Sequence, residues 1–250
     1  MQIVPLKAFK DNYIWCIQSE AQAVVVDPGD ANVVIEYLEQ NNYNLSAILI
    51  THHHSDHIGG VKQLKKKYPN IKIFSNIDAL ATHLVEDGTT IELPLKSKPQ
   101  FKVIAVPGHT LDHVVYYGMG QLFCGDTLFS VGCGRVFEGT YKQMYDSLDK
   151  IKNLDDETLV YPAHEYTLAN IRFAQTIEPK NEALQLRYEE SVKLRDKDQP
   201  TLPIKLASEK QTNPFLRCDA TNVKANLGLD LSTNPVEVFT IIRKLKDSFV

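Results

Sequence analysis

Cysteine is scarce in this chain, which has four cysteines among 250 residues and no Cys-x-x-Cys pair. Cys16, Cys124, Cys133 and Cys218 are widely separated along the sequence. This spacing fits neither a disulfide framework nor a zinc site built from thiolates. We therefore expect the four thiols to be free.

Long hydrophobic runs are also missing. The longest apolar pieces, such as residues 23–26 and 47–50, fall far short of the roughly 18 residues that a membrane-spanning helix needs. Near the N-terminus, Lys7, Lys10 and Asp11 stand in a β-like stretch that has no apolar core followed by small residues. A cleaved signal peptide does not start in this way, so we expect a cytoplasmic protein.

No excess of one charge sign is present either. The chain carries 27 Lys plus Arg against 31 Asp plus Glu, a formal net charge of -4. This balance leaves no basic surplus to neutralise a phosphate backbone, so the sequence disfavours general nucleic-acid binding. Hydrophobic residues make up 43% of the chain, which is enough to bury a sizeable core and excludes disorder as the dominant state.

Short β-branched runs alternate with helical patterns over the first two-thirds of the chain. Residues 23–26 and 47–50 read as strands, and residues 31–40 between them place apolar side chains on one helical face. After about Tyr166 the strands stop, and helix-like spacing takes over at residues 168–177, 182–195 and 235–249. The pattern predicts an α/β domain followed by a small helical C-terminal domain.

The most distinctive segment is the loop after the apolar strand at residues 47–50. It reads Thr51-His52-His53-His54-Ser55-Asp56-His57, so four of the eight histidines fall within six positions. Imidazole nitrogens and carboxylate oxygens are good ligands for zinc, iron or manganese, and a short loop holds them in a tight arc. By alternation, His52 and His54 point to one side, while Asp56 and His57 reach a different point. The loop therefore has ligands for two metals; a solvated polar loop is the alternative.

Three other loops carry single candidate ligands, His109, Asp126 and His164, each just after a predicted strand. In an α/β fold such loops gather around the functional site. Taken singly, each residue is more typical of a turn or a helix cap.

Together these segments resemble the metallo-β-lactamase superfamily, whose HxHxDH motif corresponds to His52, His54, Asp56 and His57. The chain is more closely similar to the glyoxalase II family, also called hydroxyacylglutathione hydrolases. That similarity covers almost the whole chain, through the helical tail and residues 11–13, 123–129, 132–140 and 163–167.

The resemblance implies an α/β fold, an αβ/βα sandwich with a catalytic domain over residues 1–166 and a helical substrate-binding domain over residues 167–250. It also implies a binuclear centre, with zinc as the expected metal and iron or manganese as alternatives. The ligands would be His52, His54 and His109 for one metal, Asp56, His57 and His164 for the other, and Asp126 as a bridge.

Three polar residues near this loop are left over. Asp27 would orient a ligand histidine, although an aspartate before Pro-Gly also makes turns. His53 should face away from the metals by alternation. His113 fits equally a core position and the support of a ligand.

The implied reaction is hydrolysis of S-D-lactoylglutathione, or a related 2-hydroxyacyl thioester, to D-lactate and glutathione, the second step of methylglyoxal detoxification. Two divalent ions hold a hydroxide at about pH 7, and Asp56 would orient it and take up its proton. A thiolate with a parent pKa of about 8.5 leaves without a strong general acid. Neither Cys124 nor Cys133 has a feature of an activated nucleophile, so we expect both to be structural.

Glutathione has two carboxylates and an ammonium, so its pocket needs cationic and hydrogen-bonding partners. The resemblance implies that these are Arg135, Phe137, Tyr166, Arg243 and Lys246. Arg243 and Lys246 lie three positions apart on one helical face, a spacing that a solvated face would also show. Phe137 departs from the family pattern, because relatives often carry Tyr there, and the missing hydroxyl removes a hydrogen bond of about 1 kcal/mol.

Three other functions fit part of the pattern. A metal-dependent nuclease on the same fold would need a basic surface that the charge balance does not supply. A mononuclear iron dioxygenase acting on glutathione persulfide shares the first histidine cluster, but residues 132–135 and the long helical tail argue against it. A non-catalytic metal-binding module is disfavoured because structural zinc sites use closed thiolate sets. We expect a monomer that acts on a small molecule and binds neither nucleic acid nor membranes.

Overall fold

The computed structural model describes residues 1–249. The chain divides into two compact units, the first made of residues 1–105 and 112–125, and the second of residues 106–111 and the chain from residue 126 onward. The predicted domain boundary at residue 166 stays a prediction. Within residues 1–249, we find no helix with the length and hydrophobicity needed to cross a membrane.

The first unit opens with a six-stranded sheet whose strands stand in chain order. They are β1 (Gln2–Ala8), β2 (Asn12–Ser19), β3 (Gln22–Val26), β4 (Asn44–Leu49), β5 (Lys72–Ser75) and β6 (His83–Leu84). The first three strands are antiparallel, and β3 to β6 are parallel. The helices of this part are α1 (Ala31–Asn41), α2 (Ser55–Ile58) and α3 (Val61–Lys67). The predicted strand–helix–strand unit over residues 23–50 is therefore confirmed.

Local chemistry sets the limits of α1. The Asp30 side chain accepts the Asn32 N–H at the start of the helix, and Asn42 ends it in the left-handed conformation with φ of 57°. Val34 and Leu38 of α1 are fully buried in the core of this unit. The helix therefore covers the sheet with one apolar face, as its sequence period predicts.

Four further strands of the first unit are antiparallel neighbours in chain order: β7 (Thr90–Glu92), β8 (Gln100–Ala105), β9 (Val114–Gly118) and β10 (Gln121–Gly125). The second unit has two pairs of antiparallel strands, β11 (Leu128–Phe129) with β12 (Gly132–Cys133), and β13 (Leu159–Pro162) with β14 (Ile204–Lys205). Its helices are α4 (Tyr141–Lys152), α5 (Thr167–Ile177), α6 (Glu182–Arg195), α7 (Leu206–Thr212), a 3-10 turn (Pro214–Leu216), α8 (Thr221–Asn226) and α9 (Pro235–Asp247).

The predicted C-terminal helices correspond to α5, α6 and α9, but the prediction that strands stop after Tyr166 is wrong at one place. Pro200 and Pro203 prevent a helix there, and residues 204–205 that follow are extended and pair with β13. The four cysteines are all free and buried, as expected.

A buried carboxylate joins α7 to the turn between β11 and β12. Glu209 is fully buried and accepts the Val131 N–H at 2.8 Å and an Asn213 side-chain N–H at 2.9 Å. The Ser130 hydroxyl donates to Glu209 at 3.2 Å and lies 3.3 Å from Nη2 of Arg187. Val131 has a φ of 57°, which is costly for a β-branched residue. Glu209 therefore stabilises a strained turn.

We expect Glu209→Ala to lower the free energy of unfolding by about 2–4 kcal/mol, because it leaves the buried Val131 N–H without its acceptor and opens a cavity. Urea denaturation followed by circular dichroism measures the change. The control is Glu189→Ala, which removes an exposed carboxylate of α6 that accepts from Gln185 at 3.0 Å, and which should cost no more than about 0.5 kcal/mol. Equal losses in the two variants would contradict this role.

Candidate metal centre and substrate pocket

The histidine-rich loop of the first unit runs from the end of β4 into α2. His52 is fully buried, and its Nε2 atom lies 3.1 Å from Nδ1 of His54. The His53 ring turns the other way, with Nδ1 3.0 Å from a carboxylate oxygen of Asp112. His52 and His54 therefore face each other and His53 faces away from them, as alternation predicts for these three residues. His113 stacks on His52 with ring centroids 4.6 Å apart, so it supports the ring of that candidate ligand.

Asp27 fixes this loop through a set of buried hydrogen bonds. Its Oδ1 accepts the Thr51 N–H at 2.8 Å, and its Oδ2 accepts the Thr51 hydroxyl at 2.6 Å. The same Oδ2 lies 3.0 Å from Nδ1 of His57, which turns Nε2 of that ring towards a carboxylate oxygen of Asp56, 3.5 Å away. Asp27 also occupies a turn, with φ of 51°. Asp27 therefore orients the ring of the candidate ligand His57 and also makes a turn.

Asn12 is a site residue that the sequence did not single out. Its amide Nδ2 donates to Oδ2 of Asp56 at 3.0 Å. Gly29 approaches the backbone of Asp56, where a Cβ on the glycine would meet the Asp56 carbonyl oxygen at 1.8 Å. The two contacts fix the position of Asp56 at the start of α2. The only signal for Asn12 was its place in residues 11–13, which look like a family segment.

His109, Asp126 and His164 converge in the second unit, and all three are buried. Nε2 of His109 lies 3.4 Å from Oδ2 of Asp126, and Nε2 of His164 lies 3.4 Å from Oδ1 of the same carboxylate. The Nδ1 atom of His109 is 2.8 Å from the Arg135 carbonyl oxygen, so it donates there and Nε2 points at Asp126. Each carboxylate oxygen thus faces a different imidazole, as a bridging carboxylate requires.

The chemistry of these donors fits divalent metal ions. Imidazole nitrogens and carboxylate oxygens are the ligands that catalytic zinc sites use. Histidine ligands generally donate their second ring N–H to a carboxylate or a backbone carbonyl. His57 meets this condition through Asp27, and His109 meets it through the Arg135 carbonyl.

A pocket of about 400 Å³ opens in the second unit. Its lining consists of His109, Asp126, Phe129, Cys133, Arg135, Phe137, Tyr166, Ala169, Asn170, Arg243, Lys246 and Phe249. All five residues expected to bind substrate are in this lining. Tyr166 stacks on His164 with ring centroids 4.7 Å apart, and Phe137 packs edge-on against His109 at 5.2 Å. Phe129 and Asn170 also line this pocket and were not among the residues expected to bind substrate.

Arg243 is buried on one side of this pocket. Its Nη1 donates to the Cys133 carbonyl oxygen at 2.9 Å, and its guanidinium carbon lies 5.1 Å from the centre of the Phe215 ring. Burial raises the pKa of the Cys133 thiol to about 11, although Arg243 acts in the opposite direction. Because the thiol keeps its proton at neutral pH, Cys133 is not an activated nucleophile.

Lys246 is half-buried between two aromatic rings. Its Nζ lies 5.4 Å from the centre of the Phe173 ring and 5.3 Å from that of Phe249. Burial lowers the pKa of Lys246, and the nearby charges of Arg243 and Arg135 lower it further. A bound anion would oppose this shift, so the pocket favours anionic ligands.

Comparisons with known proteins agree with these features. A family model described as metallo-beta-lactamase superfamily matches residues 9–164, and one described as hydroxyacylglutathione hydrolase C-terminus matches residues 165–249. A hydroxyacylglutathione hydrolase of Vibrio cholerae serotype O1 is 49% identical over 254 residues, which cover 100% of both chains. The enzyme of that name from Aeromonas hydrophila is 46% identical and covers 99% of both chains.

Solved structures share the fold. ETHE1 from Myxococcus xanthus has a TM-score of 0.69 at 25% identity, covering 99% of this chain and 96% of that one. BLEG-1 B3 metallo-beta-lactamase has a TM-score of 0.63 at 22% identity, covering 86% of this chain and 98% of that one. The expected fold class, an α/β metallo-β-lactamase fold with a helical C-terminal domain, is confirmed. The chain belongs to the hydroxyacylglutathione hydrolase family of the metallo-β-lactamase superfamily.

Proposed function

We propose that this chain is a binuclear metallohydrolase that cleaves S-2-hydroxyacylglutathione thioesters, with S-D-lactoylglutathione as its main substrate. The observation that carries the proposal is the pocket of the second unit, where His109 and Asp126 share one lining with Arg135, Arg243 and Lys246. Candidate metal ligands and cations in one cavity suit an anionic substrate with a hydrolysable bond. The names of the full-length relatives support this reading.

We assign the metal ligands as the family resemblance implies. Support comes from each unit separately, through the close His52 and His54 nitrogens in the first and the two contacts of Asp126 in the second. Zinc is the metal we propose, because these donors are typical of zinc hydrolases. The ligand sets are His52, His54 and His109, then Asp56, His57 and His164, with Asp126 shared.

Divalent ions held by these residues would lower the pKa of a bound water and polarise a carbonyl oxygen. Asp56, held by the Asn12 amide, would orient the attacking water and take up its proton. Arg135, Arg243 and Lys246 bind the carboxylates of glutathione, while its thiolate, with a parent pKa of about 8.5, leaves without a strong acid. No cysteine of the chain takes part.

The wider assignment also belongs to this proposal. We propose a monomeric cytoplasmic enzyme of methylglyoxal detoxification, with a catalytic domain over residues 1–166 and a substrate-binding domain over residues 167–250. The position of Arg243 and Lys246 on α9 supports the role given to the second domain. The nuclease and the persulfide dioxygenase are not favoured, because full-length relatives at 49% identity are named hydroxyacylglutathione hydrolases.

The direct test is hydrolysis of S-D-lactoylglutathione by the metal-loaded protein. We expect a kcat/KM of at least about 10⁴ M⁻¹ s⁻¹, within the usual range of enzymes on their own substrates. Cleavage of a bis-aryl phosphodiester and oxygen uptake with glutathione persulfide should stay at background. If either of these reactions were faster than thioester hydrolysis, the proposed function would be wrong.

Metal analysis tests the binuclear centre. We expect about two ions per chain in active protein, because seven ligands are too many for one ion of roughly four to six coordination. His54→Ala should lower the metal content and the activity together. His53→Ala is the matched control, since that ring faces Asp112, and it should keep both. One ion per chain in fully active protein would refute a binuclear mechanism.

Lys246→Ala should raise the KM for glutathione thioesters by about ten- to a hundredfold with little change in kcat, since a remote carboxylate contact serves ground and transition states alike.

Because the pKa of Lys246 is lowered, its charge is present at low pH and is lost earlier than usual as pH rises. The wild-type KM should therefore climb at alkaline pH, and that of the variant should not. Lys244→Ala, a neighbouring exposed lysine, is the control; equal effects would contradict the assignment.

A further inference from the structure

The carboxylate of Asp247 contacts two of the arginines that line the pocket. Its Oδ1 accepts the Nε–H of Arg243 at 3.1 Å and lies 2.9 Å from Nη2 of the same side chain. Nε of Arg135 is 3.8 Å from this oxygen. Asp247 is the last residue of α9 and is not part of the cavity lining among the described residues. It therefore contacts the residues that would bind substrate without facing the substrate itself.

We propose that Asp247 is a positioning residue that holds the Arg243 guanidinium in one orientation and thereby sets the affinity of the pocket for the glycine carboxylate of glutathione. This inference rests on the proposed function and names a further determinant of substrate specificity in the same site.

The Arg243 guanidinium has hydrogen-bond partners on two sides. A guanidinium has five N–H donors in a rigid planar fork. Nε and Nη2 are engaged by Asp247, and Nη1 donates to the Cys133 carbonyl oxygen. Because the two partners hold opposite arms of the fork, its plane cannot rotate without breaking one of these contacts. The remaining N–H groups therefore keep a fixed direction at the wall of the pocket.

The charges around Lys246 also support a role for Asp247 in the arrangement of the cations. Arg243, Arg135 and Arg172 lower the pKa of Lys246, whereas Asp247 raises it. One carboxylate thus offsets part of the repulsion within a group of cations. Through its contacts with Arg243 and Arg135 it keeps these two cations close to each other, so binding of an anionic substrate need not bring them together.

A carboxylate at this position could instead compete with the substrate for the arginines. The geometry favours orientation, because both short contacts run to Arg243, whose side chain is only 4% exposed. Arg135, with a side chain 63% exposed, stays at 3.8 Å and is available to an incoming anion. If Asp247 competed with the substrate, its shorter contacts would run to Arg135, the more exposed of the two arginines.

The test compares Asp247→Ala and Asp247→Asn with the wild-type enzyme. We expect Asp247→Ala to raise the KM for S-D-lactoylglutathione about tenfold with kcat within about twofold, as for a lost charge-assisted hydrogen bond. Asp247→Asn should stay within about threefold of wild type, because its carbonyl oxygen can accept both N–H groups. Asp146→Ala, which breaks an exposed i,i+4 pair with Lys142 on α4, is the matched control and should behave as wild type.

Two further measurements separate positioning from general support of the fold. With the S-D-lactoyl thioester of glutathione whose glycine carboxylate is converted to the amide, Asp247→Ala should change KM less than about twofold. Calorimetric binding of S-methylglutathione, which cannot be hydrolysed, should weaken about tenfold in Asp247→Ala and less than about threefold in Asp247→Asn. If the alanine variant does not fold, Asp247→Ser replaces it, because a serine hydroxyl cannot reach Arg243.

The outcomes are distinct. A lower KM in Asp247→Asn would mean that the carboxylate competes with substrate, and it would overturn the proposal. An unchanged KM in Asp247→Ala, or equal increases with both thioesters, would overturn it as well. Absence of thioester hydrolysis in the wild-type enzyme would refute the proposed function instead, and S-methylglutathione binding would still decide the role of Asp247.

Discussion

The carboxylate of Asp126 lies between two imidazoles, and the site of the second unit is built around these two contacts. Its two oxygens lie 3.4 Å from Nε2 of His109 and 3.4 Å from Nε2 of His164. The Nδ1 atom of His109 donates to the Arg135 carbonyl oxygen, which fixes the ring so that Nε2 points at Asp126. A carboxylate between two imidazole nitrogens is favourable when a positive charge is present, either a proton on a ring or a metal cation. This arrangement is the physical reason why these residues form a candidate metal site.

A similar constraint acts on the cations of the pocket. A buried guanidinium is costly unless its donors are satisfied, and Arg243 meets this condition with a backbone carbonyl, a carboxylate and an aromatic ring. The charge of Lys246 lies near two phenyl rings, which attract it. These partners restrict both side chains. Under the proposed function, a carboxylate would therefore bind without first ordering long flexible side chains.

The sequence predicts the features of this protein that depend on local pattern. The HxHxDH loop, the amphipathic period of α1 and the helix-like spacing of α9 all lie within short windows, and the structure has each of them. Contacts between distant positions leave no such signal. Asn12 contacts Asp56 across 44 positions, and Glu209 contacts Val131 across 78, and neither pair forms a motif. The strand β14 was missed for the same reason, since two residues after a proline become a strand only where another strand is present to pair with them.

The candidate metal ligands and the cations of α9 are positioned by different contacts. The candidate ligands lie between residues 52 and 164 and are oriented by Asp27 and by the Arg135 carbonyl, none of which belongs to α9. On α9, the Arg243 side chain is positioned instead by Asp247 and by the Cys133 carbonyl oxygen, 110 positions earlier in the chain. Under the proposed function, a substitution on α9 would change the binding of the thiol carrier while the partners of the candidate ligands stay as they are. The departure at Phe137 is compatible with this separation, because its ring packs edge-on against the candidate ligand His109 without a hydroxyl group.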